Sequence, residues 1–103
     1  MVKLKVTVLR MMENRDYADE YCDDPATALP CTDFTVGQEF VTHSADIRPE
    51  GFCGWAWNDI HKGALTLMNG GNFRWWMKND NELISCCTDG IRPVVFKLER
   101  IDD

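Results

Sequence analysis

The chain is predicted to be an α+β protein: one compact domain over residues 1–103, in which an antiparallel-rich sheet with a C-terminal β-hairpin packs against one main helix. Three observations carry this. A period-2 run, "VKLKVTVLR", opens the chain; a run with helical period fills its middle; and two strand-like runs flank Asp89-Gly90, a pair that favours tight hairpin turns. A chain of 103 residues is large enough for one hydrophobic core and too small for two.

In the first strand Val2, Leu4, Val6 and Val8 alternate with Lys3, Lys5 and Thr7, the pattern of a half-buried strand. Asn14 is placed to cap a short helix over "RDYADEYC". "DDPATALPCTD", with two prolines and no period, reads as an irregular connection bracketed by Cys22 and Cys31. β-Branched and aromatic residues predict a second strand from about Gln38 to His43, with Gly37 marking a bulge or turn before it. A helix is expected to start near Cys53, with Trp57, Ile60, His61, Ala64 and Met68 on one stripe, and to stop at "NGGN". "FRWWMKNDNE" is a polar and aromatic connection, and "ELISCCT" and "IRPVVFKLERI" form the closing hairpin.

Seventeen acidic against eleven basic residues give a formal charge of -6, which repels phosphate backbones and anionic lipid heads, so neither nucleic acid nor a membrane is an expected partner. No stretch approaches the ~20 apolar residues of a membrane span, and "MVKLKVTVLRMM" lacks the unbroken apolar run of a signal peptide. The expected location is cytoplasmic. Five cysteines are many for this length, and an odd count without a secretion signal speaks against a disulfide framework. Thiol, thiolate or metal chemistry is therefore the question.

A two-residue Asp89-Gly90 loop would set Cys87 opposite Arg92 and Cys86 opposite Pro93. Strand side chains alternate, so Cys86 and Cys87 share one site only if the ladder breaks, and Pro93 offers a place for a break. In regular register Cys87 shares its face with Arg92, Val94, Phe96 and Leu98, and a neighbouring guanidinium favours a thiolate. Cys53 falls at the helix start, where unpaired N–H groups do the same. Trp57 and His61 follow it on that face, but two turns rise about 12 Å, too far for Cys53 and His61 to share a metal along the helix. His61 reads as a hydrogen-bonded residue at the core edge. Cys31, in the irregular connection, can be aimed freely, and Cys22 is the most dispensable.

Four thiols from separate elements, Cys31, Cys53, Cys86 and Cys87, are candidate ligands of zinc or an iron-sulfur cluster, although no C-x-x-C knuckle is present. Trp55, Trp57, Trp75 and Trp76 read as core and lid packing; on the sharper reading Trp55, Trp57 and Trp76 wall a small-molecule pocket beside Cys53 and Cys87. The acidic "DYADEYCDD" lacks the residue order of a calcium loop and reads as a solvated face. No phosphate-binding loop, dinucleotide fingerprint or G-x-S-x-G is present.

The strings "VGQEF", "GFCGWAWNDI", "GGNF" and "CCTDGIRPVVFKLERI" resemble, over nearly the whole chain, a family of small bacterial and archaeal proteins with no established activity. The resemblance implies that Cys31, Cys53, Cys86 and Cys87 occupy that family's cysteine positions, together with Gly70, Gly71, Asp89, Gly90, Arg92 and Pro93. Cys22 has no counterpart, and "FRWWMK" departs from the family's shorter form.

Three functions are expected in order. The first is metal or iron-sulfur binding through the four thiols. The second is a small-molecule enzyme or redox protein with Cys53 or Cys87 as nucleophile and Arg92 stabilising its charge. The third is a non-catalytic interaction module, a homo-oligomer that covers its exposed sheet edges through symmetric contacts.

Overall fold

The computed structural model of the chain describes residues 2–102. Its elements are β1 (Val2–Met11), α1 (Arg15–Tyr21), α2 (Pro25–Ala28), β2 (Glu39–Thr42), α3 (Gly54–Met68), β3 (Glu82–Cys86) and β4 (Val94–Asp102). The four strands form one antiparallel sheet in the order β2-β1-β4-β3, and α3 covers one face of it. This is the α+β architecture that the sequence predicts.

Alternation in β1 and β4 produces the dry face: Leu4, Val6 and Val8 lie buried beside Val94, Phe96 and Leu98. Full burial of an aliphatic or aromatic side chain stabilises by about 1.5–3 kcal/mol relative to exposure, so these six are the centre of the core. The opposite face carries the intervening charged residues, with Lys5 3.6 Å from Glu39 and 3.8 Å from Glu99, and Lys97 3.2 Å from Glu99. The register of β1 on β4 slips between Val8 and Arg10, leaving Leu9 as a bulge.

Helix α3 begins directly after Cys53 and ends at "NGGN", as expected. Gly70 takes a left-handed φ of 85°, and the Gly70 and Gly71 N–H groups donate back to Leu67 and Thr66. Its buried stripe is Ala56, Ile60, Gly63, Ala64 and Leu67, rotated from the predicted one, so that Trp57, His61 and Met68 sit on its flank. Small residues at 56, 63 and 64 let the helix lie close on the sheet. A Cβ added at Gly63 would come within 2.5 Å of Leu83 Cδ2.

Two local predictions need correction. The connection after α1 contains a helical turn, α2, whose cap Asp24 accepts the Ala26 N–H and whose first residue is Pro25; the Asp-Pro pair is a helix-start signal. Asn14 does precede α1, but its side chain does not cap it and donates instead to the Gly90 carbonyl at 2.7 Å. Gly37, with φ 89°, forms the turn that leads into β2.

Beyond the sheet, Phe34, Phe40, Phe52 and Phe96 pack edge to face or tilted at centroid distances of 4.9–5.9 Å. They come from four separate segments and close one end of the core. The candidate site lies against this cluster, since Phe34 also lines its wall.

Candidate functional site, a cysteine-lined cavity

The loop between β3 and β4 organises the site. The predicted two-residue Asp89-Gly90 turn is not formed: β3 and β4 pair Cys86 with Val95 and Ser85 with Phe96, two residues from the predicted register, and residues 88–93 make a longer loop. The cause is side-chain competition. The Asp89 carboxylate accepts the N–H groups of Ile91 (2.9 Å) and Arg92 (3.1 Å), a local arrangement that replaces the tight turn.

Neighbouring elements hold this loop from two sides. On the α3 side, the Thr88 N–H donates to Asp59 Oδ2 at 2.7 Å, its hydroxyl lies 3.0 Å from both Asp59 oxygens, and Trp55 Nε1 donates to that hydroxyl at 3.1 Å. On the other side, the Met12 and Asn14 N–H groups donate to the carbonyls of Pro93 and Ile91, both at 2.8 Å. A loop tied to α3 and to the β1–α1 junction is a rigid platform for the residues it carries.

Between this loop, the start of α3 and the connection before β2 lies a cavity of about 400 Å³, within the range of small-molecule sites. Cys31, Cys53 and Cys87 line it, with Arg92, Asp89 and Asp33 as charged neighbours and Trp55 on its rim. Cys87 is 7% exposed; its N–H donates to the Val94 carbonyl, and its sulfur accepts the Val94 N–H at 3.3 Å. Cys53 is the residue before α3 and makes no side-chain cap, although its carbonyl accepts the Trp57 N–H. Cys31 is half-buried in the connection that leads to Phe34.

Arg92 is the only Lys or Arg lining the cavity among the described residues. Its Nε donates to Asp89 Oδ2 at 3.1 Å and its Nη1 to the Ala28 carbonyl at 3.1 Å, which ties the loop to the segment just before Cys31. The Asp89 hydrogen bond raises the Arg92 pKa above its ordinary value against an opposing effect of burial, and the proximity of Asp89, Cys31 and Asp33 adds to the rise. For Asp89, burial alone would raise the pKa. The N–H donors of Ile91 and Arg92 and the Arg92 guanidinium outweigh it and hold the carboxyl below its ordinary value.

The remaining candidate residues lie elsewhere. Cys86 is exposed and, by strand alternation, on the face of the sheet opposite Cys87, so the four candidate ligand thiols do not converge; the ladder runs through Cys86 without the break considered at Pro93. Among the described residues no group of three or more His, Cys, Asp or Glu is arranged to hold a metal ion. The tryptophans are also divided. Trp57 packs on Phe52 and His61 beside a separate shallow depression, and Trp76 lines an apolar groove along β3 with Phe73. His61 meets the Trp57 ring edge-on and makes no hydrogen bond among the described residues, unlike the hydrogen-bonded histidine expected.

Asp33, Asp59 and Thr88 were not singled out by the sequence. Asp59 falls on the polar side of a helical pattern, and nothing local marks its contact with a residue 29 positions away. Comparison with protein-family models, with curated proteins and with solved structures finds no match, so the functional reading stands on the geometry.

Proposed function

We propose that the chain is a small-molecule enzyme or redox protein that works through a cysteine of this cavity. The observation that carries the reading is the meeting of Cys31, Cys53, Cys87 and Arg92, contributed by separate segments, around one cavity of small-molecule size. A thiol beside a guanidinium, in a space with a tryptophan rim, is suited to hold a small ligand against a nucleophilic sulfur. Geometry favours this over a four-cysteine metal or cluster site, because Cys86 stands on the far face of the sheet.

The test is alkylation by iodoacetamide of the native protein and of the protein unfolded in urea, with the modified cysteines located by mass spectrometry. At least one of Cys31, Cys53 and Cys87 is expected to react faster in the native protein than in the unfolded chain. Uniformly slower reaction of all three in the native protein would make them packing residues and end this reading.

A second reading, association of two copies, is supported by β3 being an edge strand with exposed apolar residues beside it. Trp75 is 91% and Trp76 60% exposed, and Ile84 is 43% exposed.

A further inference from the structure

The cavity's charge distribution bears on what enters it. Two of the three Arg92 nitrogens are occupied, Nε by Asp89 and Nη1 by the Ala28 carbonyl, and Nη2 makes no hydrogen bond among the described residues. A guanidinium is a planar fork with five donors, so a group pinned at Nε and Nη1 is fixed in orientation and keeps donors open for an incoming carboxylate.

The three cavity thiols differ in their relation to this cation. Cys31 follows three residues after Ala28, whose carbonyl Arg92 Nη1 holds, and it lines the same cavity as Arg92. Cys87 is nearly closed off from solvent, with its sulfur already taken by the Val94 N–H. Cys53 lines the cavity as the residue before α3 and belongs to a different segment from the one that Arg92 grips.

Resting on the reading of the cavity as a thiol site, we propose that Cys31 is its nucleophile and that the open donors of Arg92 anchor an anionic group, so that the cavity takes small carboxylates bearing an electrophilic carbon. In the step, the Cys31 thiol loses its proton to solvent and the sulfur forms a bond to the electrophilic carbon. The carbon–leaving-group bond breaks, and its electron pair departs with the leaving group. Asp89 is a positioning residue that acts through Arg92. Asp33, whose charge also acts on Arg92, competes with the incoming carboxylate.

Iodoacetate and iodoacetamide present the same carbon and the same iodide leaving group and differ in charge, so their rate ratio reads the anchor directly. The protein is alkylated with each reagent at neutral pH, and the rate at each cysteine is followed by peptide mass analysis in native and urea-unfolded samples. Cys31 is expected to be modified before the other two cavity cysteines, Cys53 and Cys87. Its iodoacetate-to-iodoacetamide ratio should exceed the unfolded-chain ratio by about tenfold, the scale of one charge interaction in a partly buried site. R92M, checked for folding by circular dichroism, should return the ratio to the unfolded value, R92K should retain part of it, and D33N, at an exposed position, should raise it further.

Preferential modification of Cys53 or Cys87, or a wild-type ratio equal to that of the unfolded chain, would overturn the proposal. Both outcomes are read on the wild-type protein and do not depend on any variant folding. They leave the broader thiol reading standing, which fails if no cavity thiol outruns its unfolded counterpart with iodoacetamide.

Discussion

At the residue scale, Asp89 links fold and site. Its carboxylate organises the β3–β4 loop through the Ile91 and Arg92 N–H groups and fixes Arg92 through Nε. A carboxyl whose folded-state pKa is lowered contributes stability above its ordinary pKa of 3.8, and that contribution is lost as pH falls through the lowered folded-state value. Asp89→Asn is therefore expected to lower stability at neutral pH by about 1 kcal/mol, a modest figure because the pair is partly solvated. It should also flatten the acid limb of the stability profile below that ordinary value. Urea unfolding of both proteins between pH 2 and 7 checks this, and equal acid limbs would show that Asp89 is not a linked group. Asn14 shows how little of such roles is legible in advance: the residue type and position predict a helix cap, and the side chain serves the Gly90 carbonyl instead.

At the element scale, α3 is legible at both ends, since the Gly and Asn that stop it act locally through backbone conformation. Its support from outside is not. Arg100 of β4, largely buried, donates through Nη1 to the Leu67 carbonyl at 3.0 Å and places a cation at the helix C-terminus. Both the hydrogen bond and the dipole favour this arrangement, so Arg100→Met is expected to destabilise the protein by about 1–2 kcal/mol. Hydrogen exchange should show the largest loss of protection in the last turn of α3, and a loss confined to the end of β4 would contradict the assignment. The strand pair β3–β4 gives the complementary case. Its register is displaced by two residues from the one a tight turn would set, yet Cys87 still shares the buried face with Val94, Phe96 and Leu98. An even displacement preserves which side chains face inward, whereas an odd one would have inverted them.

At the scale of the whole molecule, the sheet order leaves β2 and β3 as edges. Asn81 accepts from the Arg100 N–H, and the Cys87 N–H donates to Val94. By alternation the backbone groups of Glu82, Ile84 and Cys86 therefore point away from β4 toward the free edge. An apolar groove runs alongside, lined by Phe73, Trp76, Leu83 and Ile84. If two copies associate here, sedimentation should show a dimer, and Ile84→Lys, which places a charge on the edge strand, should convert it to a monomer without loss of helix signal. A wild-type monomer across the micromolar range would remove the second functional reading and leave the cavity untouched. No helix among the described residues is long and apolar enough to cross a membrane, in keeping with the sequence.

The sequence by itself determined the features that repeat locally: the dry faces of β1 and β4, the limits of α3, and the α+β class. These follow from side-chain period and from the backbone preferences of Gly and Asn, which act over a few residues. The tertiary structure alone decided the loop of residues 88–93, the rotation of the α3 stripe, and the selection of Cys31, Cys53 and Cys87, without Cys86, around one cavity with Arg92 and Trp55. Those outcomes depend on contacts such as Thr88 with Asp59 and Arg92 with Ala28, 29 and 64 residues apart along the chain. Such pairs form because a buried or bound polar group must find a partner in the folded molecule, and no period or local motif records which partner it finds.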